Sequence, residues 1–144
     1  MKKTIFALGV SLLIPFVTIQ AAQVENLRCE FRVNPLAIDA TKPRLSWKLE
    51  TGNLKLERGI TQTAYQILVA STPEILVKDQ GDLWDSGKVA SDQSVHIDYQ
   101  GKPLASGMLC HWKVKAWTTD ASGKEQATDW SAPAFWRMGT LEAA

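Results

Sequence analysis

Histidine and cysteine are scarce, with two of each in 144 residues. There is no Cys-x-x-Cys and no pair of histidines at ligand spacing, so the usual metal sites have no ligand set to draw on, and no cofactor is implied. A nucleophilic serine would need a Gly-x-Ser-x-Gly elbow or an equivalent serine, histidine and acid set, and the elbow is missing. An excess of one charge is missing too: 16 basic residues face 15 acidic ones, so bulk electrostatics attract neither nucleic acid nor anionic lipid. The N-terminal apolar run, Ile5 to Ile19, falls short of the roughly 20 residues of a membrane span and is interrupted by Pro15. No internal repeat, low-complexity tract or heptad pattern occurs, which excludes solenoids and coiled coils. Nor is there a helical stretch long enough for a βαβ crossover.

What is present is a leader followed by about one domain. Met1-Lys2-Lys3 supplies a positive start, Ile5 to Ile19 an apolar stretch, and Ile19-Gln20-Ala21-Ala22 small residues for a signal peptidase. Residues 1–22 are therefore expected to be a signal peptide, cut near Ala21 or Ala22. The mature protein would be exported, periplasmic or extracellular, with no membrane attachment after cleavage. Without Lys2 and Lys3, 14 bases face 15 acids, a net charge of −1. Six Trp and a hydrophobic content of 45% allow the remainder to bury a core without cross-links.

Period-two alternation dominates from Leu27 onward, the spacing of strands with one face in a core. Leu27, Cys29, Phe31 and Val33 alternate with charged residues until Asn34-Pro35, and Leu45, Trp47 and Leu49 resume the pattern after the turn at Asp39 to Pro43. Tyr65, Ile67 and Val69 share one face of a third strand, with Leu68 and Ala70 on the other, so part of that strand is expected to be covered on both sides. Ser71-Thr72-Pro73-Glu74 carries the marks of a helix start, a hydroxyl cap followed by Pro and an acid, and predicts one short helical turn. Further strands are expected at Leu83 to Val89, Val95 to Tyr99, Cys110 to Trp117 and Phe135 to Met138. Cys110, Trp112, Val114 and Ala116 form the clearest inward face. Seven short strands with one helical turn predict an all-β, two-sheet sandwich over residues 23–140.

Several segments resemble the opening of bacterial α-L-rhamnosidases: Asn26-Leu27-Arg28-Cys29-Glu30, Asn34-Pro35-Leu36, Pro43-Arg44-Leu45-Ser46-Trp47, Ala64-Tyr65-Gln66-Ile67, Trp84-Asp85-Ser86-Gly87, Trp112-Lys113-Val114 and Trp130-Ser131. The Trp of the second strand, the Tyr of the third and the late Trp-Ser are general to fibronectin type III and immunoglobulin-like sandwiches, whereas Asn-Pro-Leu and Trp-Asp-Ser-Gly are more particular to the rhamnosidases. The resemblance implies the N-terminal module of a large exported glycosidase whose acidic catalytic residues lie in a downstream (α/α)6 barrel. On that reading residues 141–144 would begin a linker to a domain not included here, the chain would be a truncated piece, and no catalytic residue is carried over. Its partners would be the downstream domains, with rhamnose-containing glycans as a second class.

The polar residues have ordinary structural uses. Asp39, Asp79, Asp82, Asp85 and Asp92 fall mainly in turns, where Asp accepts backbone hydrogen bonds. His111 occupies the outward phase of its strand and His96 a short strand, both read as surface or edge residues. Cys29 and Cys110 point inward by phase. They fall near the starts of the first and sixth strands, at opposite poles, which argues against a bridge and for buried free thiols. Exposed aromatics are the remaining candidates for contact with a sugar or a neighbouring domain: Trp117 and Trp136, both assigned to the face opposite their strands' core phase. Trp47 and Trp112 are in core phase.

Overall fold

A computed structural model describes residues 13–14, 22–52 and 59–142. Most of the expected signal peptide, its cut near Ala21 and the last two residues of the expected linker lie outside the described residues. Among the described residues no helix is long and apolar enough to cross a membrane. The described part is almost entirely antiparallel β structure in two sheets, the immunoglobulin-like architecture that the alternation predicts. One sheet has the order β1 (Gln23–Cys29), β2 (Arg44–Glu50), β6 (Ile97–Asp98). The other runs β4 (Trp84–Asp85), β3 (Thr61–Ala70), β7 (Leu109–Thr119), β8 (Glu125–Ala127), with β5 (Val89–Ala90) also on β3 and β9 (Ala134–Arg137) also on β7.

The described residues form nine strand segments rather than seven. The run expected as one strand from Leu83 to Val89 is cut in two by a turn at Ser86-Gly87, where Gly87 is left-handed (φ 61°) and its N–H donates to Asp85 Oδ1 at 2.8 Å. A further short strand, β8, follows the polar loop at Asp120–Lys124 and pairs with the end of β7.

The first strand also differs from its expected limits. It starts at Gln23, and its period breaks at Asn26, left-handed at φ 54°, where the register against β2 shifts between Glu25 and Arg28, a β-bulge. It ends at Cys29. There Cys29 N–H donates to Arg32 O and Arg32 N–H donates back to Cys29 O, both at 3.0 Å, closing a tight turn over left-handed Glu30 and Phe31 (φ 47° and 64°). Phe31 and Val33, expected inward, are 49% and 60% exposed because the alternation stops with the strand.

The central strand β7 behaves as its sequence requires. Cys110, Trp112, Val114 and Ala116 are each at most 1% exposed. Opposite it on β3, Ile67 and Val69 join the main core, while Leu68 and Ala70 form a second cluster with Leu76. Leu76 belongs to the helical turn α1 (Pro73–Val77), whose N-cap Thr72 accepts from Ile75 N–H through its side chain at 3.3 Å. That turn is why part of β3 is covered on both faces.

Aromatic rings link the core end to end. Trp84 and Tyr99 (5.4 Å between centroids), Tyr99 and Trp136 (6.0 Å) and Trp136 and Trp112 (6.1 Å) meet edge to face, as do Trp47 and Tyr65 (5.2 Å). Trp47 Nε1–H donates to Gln62 Oε1 at 3.0 Å, and Gln62 Nε2 donates onward to Gln93 O at 2.8 Å and Ser91 O at 3.1 Å. Among the described residues Trp136 Nε1–H finds only the Met138 sulfur, at 3.3 Å. Trp112 Nε1 is buried without a partner among the described residues, a desolvation cost of about 1–3 kcal/mol that its packing must offset.

Cys29 and Cys110 are buried and unbridged. Both belong to the main core, but Cys29 does not lie near the start of its strand. The reason is the earlier start of β1, which puts Cys29 at that strand's end rather than its beginning. Burial pushes each thiol from 9.0 to about 12, and the Tyr99 hydroxyl from 10.0 to about 12. In the unfolded chain these groups ionise near their ordinary values, so between about pH 9 and 12 the unfolded state binds fewer protons and stability falls as pH rises. Each group that ionises only in the unfolded chain lowers stability by about 1.4 kcal/mol for each pH unit in that window. Urea denaturation from pH 7 to 11 should show a midpoint that is flat to about pH 8.5 and declines above it. Below that pH, both thiols should react with a thiol reagent only after unfolding.

Candidate functional site

Trp117 points outward from β7, half-buried, on the face opposite Ala116. Lys88 Nζ lies 4.8 Å from its ring centroid and Lys115 Nζ 5.6 Å. Lys115 Nζ is also 5.6 Å from the ring of Trp130, which Lys113 Nζ approaches to 5.1 Å. Five side chains, Lys88, Trp117, Lys115, Trp130 and Lys113, thus alternate cation and ring along the outer face of the larger sheet. At exposed sites each such contact contributes about 0.5–1 kcal/mol. Acids hold the two ends: Glu125 pairs with Lys88 at 3.1 Å and Asp79 with Lys113. Lys115, in the middle, has no carboxylate partner among the described residues.

The ladder is assembled from two chain segments. Lys113, Lys115 and Trp117 are alternate residues of β7, so one outward phase supplies three members. Trp130 arrives from the segment beyond β8, held along β7 by Thr128 N–H to Ala116 O and Ser131 N–H to Val114 O, both 2.8 Å. The hydroxyls of Thr128 and Ser131 accept from Ala116 N–H (3.1 Å) and Val114 N–H (3.0 Å) in return, so side chains complete the ladder where the strand is interrupted. In the sequence Trp130 stands out only as part of its Trp-Ser pair; the alternation of Lys113, Lys115 and Trp117 is the available sign of a cationic outer face. Lysine ammonium groups take part of the ring surface on which a sugar would stack.

Trp136 is not on this face. It is fully buried, because it stands directly opposite Cys110 in the β7–β9 register, and cross-strand partners share a face. The four residues Phe135-Trp136-Arg137-Met138 are apolar in both phases at one end, so only the pairing could assign their faces. A ring that solvent does not reach cannot contact a sugar or a domain.

The remaining sequence candidates have local roles. Asp82 Oδ1 and Oδ2 accept from Ser71 N–H and Oγ–H at 2.8 and 2.5 Å, and Asp85 Oδ1 accepts from Gly87 N–H and Gln66 Nε2. Asp39 and Asp92 are exposed. His111 is half-buried, and burial holds its imidazole below the ordinary value in spite of Glu74. It lines a mainly apolar groove of about 340 Å³ between α1 and β9, with Leu76, Val77, Pro133 and Phe135. His96, left-handed at φ 56° and just outside β6, meets the edge of Phe31 at 5.2 Å. The Arg44 guanidinium lies 5.1 Å from that Phe31 ring and pairs with Glu30 at 2.8 Å, a hydrogen bond that lowers the Glu30 pKa. Among the described residues no group of three or more His, Cys, Asp or Glu is placed to hold a metal ion.

Residues 24–142 match the family described as Rha78A-like, N-terminal immunoglobulin domain. The chain is 39% identical over 124 residues to an α-L-rhamnosidase of Streptomyces avermitilis, which covers 86% of this chain and 11% of that enzyme. It is 44% identical over 108 residues to an α-L-rhamnosidase of Formosa agariphila, again 75% of this chain and 11% of the relative. Among solved structures, the S. avermitilis α-L-rhamnosidase complexed with L-rhamnose superposes with a TM-score of 0.70 at 41% identity, covering 83% of this chain and 11% of that one. The α-L-rhamnosidase from Dictyoglumus thermophilum gives 0.72 at 38% identity, with 83% and 12% covered. The chain therefore spans about a tenth of the length of these relatives, and their catalytic domain is not contained in its 144 residues.

The two tryptophans singled out by sequence should separate sharply on mutation. Trp136→Ala should cost about 3–5 kcal/mol, the range for emptying a large core site. Trp117→Ala should cost about 1–2 kcal/mol, from two surface cation contacts and a half-buried ring. Urea titrations followed by circular dichroism would measure both.

Proposed function

The chain belongs to the Rha78A-like N-terminal immunoglobulin domains of α-L-rhamnosidases, and from that premise we propose that it is a noncatalytic module that packs against the other domains of such a glycoside hydrolase. The observation that carries this reading is a set of apolar side chains left in water on one connection. Phe31, Val33 and Leu36 are 49%, 60% and 68% exposed, all between β1 and β2. An isolated exposed apolar residue needs no explanation, but three within six positions, on backbone tied down on both sides, suit a docking surface. The tie is specific: Phe135 N–H donates to Asn34 Oδ1 at 3.0 Å, Arg137 N–H to Pro35 O at 2.9 Å and Ile38 N–H to Arg137 O at 3.0 Å. At the turn, Arg28 Nη1 donates to Phe31 O at 3.2 Å, and Arg44 and His96 brace the Phe31 ring. Such a surface meets a partner with little entropy left to lose.

Grafting tests the packing role. Residues 24–142 would replace the matched segment of the S. avermitilis enzyme, and the hybrid should hydrolyse rhamnosides with unchanged KM. The double substitution Val33→Asp with Leu36→Asp should lower the melting temperature of the hybrid while leaving that of the isolated chain unchanged. A hybrid indifferent to both charges would sink the packing role.

Export is part of the same proposal. What supports it is that β1 begins at Gln23, directly after the expected cut, so that removal of the leader spares every strand among the described residues. Expression in a Gram-negative host should yield a periplasmic protein, and intact-mass measurement should place its first residue at Ala22 or Gln23.

A further inference from the structure

The first strand gives its hydrogen bonds to one sheet and the segment after it gives them to the other. β1 pairs with β2, whereas Asn34 to Ile38 crosses to β9, ending in the parallel bridge Ile38 to Met138. Where the chain has not yet crossed, the edge of β1 and the segment from Asp129 to Ala134 stand apart. Between them lies a cleft of about 540 Å³, within the size range of small-ligand sites.

Its chemistry is selective. Gln23, Glu25, Asn26, Asn34 and Asp129 supply the polar lining. Among the described residues, none that lines it is basic, and the nearby cations are engaged, Arg28 with Asn26 Oδ1 and Lys113 and Lys115 with the ring of Trp130, so Glu25 and Asp129 leave the lining itself net negative. A phosphate, sulfate or uronate would meet repulsion there. An added peptide strand is served poorly as well: Pro133 on the far wall has no N–H to offer, and the next edge donor, Phe135 N–H, is already taken by Asn34. Val24, Leu27, Val33 and Pro133 add apolar surface. Amides and carboxylates beside an apolar wall suit a neutral polyhydroxylated ring, which has hydroxyls at its rim and C–H groups on its face.

The two asparagines are set for donation. Both line the cleft and are left-handed, at φ 54° and 47°, a conformation that asparagine adopts readily. Each has its side-chain carbonyl fixed by a protein donor, Asn26 Oδ1 by Arg28 Nε at 3.1 Å and Asn34 Oδ1 by Phe135 N–H at 3.0 Å. That fixes which end of each amide carries the NH2, and neither Nδ2 has a protein acceptor among the described residues.

We propose that this cleft binds a neutral oligosaccharide, with Asn26 and Asn34 Nδ2 donating to its oxygens, Glu25 and Asp129 accepting from its hydroxyls and the apolar wall meeting its C–H face. The site shares Val33 with the surface assigned to packing, so it is tested on the chain by itself, and it uses neither Trp117 nor Trp136.

The test is a 15N-labelled preparation of the chain titrated with a neutral rhamnose-containing oligosaccharide and, separately, with an oligogalacturonate. The neutral sugar should shift the side-chain amide resonances of Asn26 and Asn34, and the oligogalacturonate should not. Asn26→Asp and Asn34→Asp keep the left-handed preference and the acceptor oxygen while deleting the donor. Each should weaken binding about tenfold, one hydrogen bond's worth, with the urea midpoint reporting that the fold is intact. Absence of shifts at the two amides, equal or tighter binding of the oligogalacturonate, or unchanged affinity in both Asp variants would each overturn the proposal. Should Asn34→Asp unfold the chain, Asn26→Asp alone decides.

Discussion

The pairing of β7 with its neighbours is the constraint on which the rest of the structure depends. This strand pairs with β3 along almost its whole length on one side and with β8 and β9 on the other. Its inward residues close the core, and its outward residues carry the lysine and tryptophan ladder. Because side chains alternate, one register decision assigns every residue of β3, β8 and β9 to a face. Trp136 is buried because it stands opposite Cys110, and Trp130 is outside because Thr128 and Ser131 hold their segment along Ala116 and Val114.

Polar groups inside this sandwich are handled unevenly. Gln62 joins Trp47 to two carbonyls of the Ser91–Gln93 connection, which fixes the smaller sheet's ring to the larger sheet's strand. Trp112 has no equivalent and, among the described residues, leaves its N–H unpaired in the centre. Its ring meets Trp136 edge to face, and the burial of two indoles outweighs one unsatisfied donor. The thiols of Cys29 and Cys110 are satisfied simply by staying neutral, which burial enforces.

The surface features share an origin in the first strand. A bulge at Asn26, a turn through Glu30 and Phe31 and a crossing at Asn34 carry the chain from one sheet to the other within a dozen residues. The left-handed residues of this stretch give up backbone freedom to do so, and Arg28, Arg44 and His96 brace them. The switch exposes Phe31, Val33 and Leu36 and opens the cleft opposite Asp129 to Ala134. One irregular stretch thus produces both the surface suited to neighbouring domains and the cavity suited to a sugar.

Alternation in the sequence was sufficient for the all-β class, for the core positions of Trp47, Tyr65, Trp112 and the inward face of β7, and for the cap of α1 at Thr72, because these follow from local periodicity and local hydrogen bonding. Family membership was legible too, in the order and spacing of short segments. Tertiary structure decided whatever depended on which strand lies beside which. The face of Trp136, the end of β1 at Cys29, the entry of Trp130 into the ladder and the cleft beside Asn26 and Asn34 all belong there. The physical reason is that a strand's period is two: a run with apolar residues in both phases, or one interrupted by a bulge, carries no internal sign of which face is in, and only the partner strand supplies it.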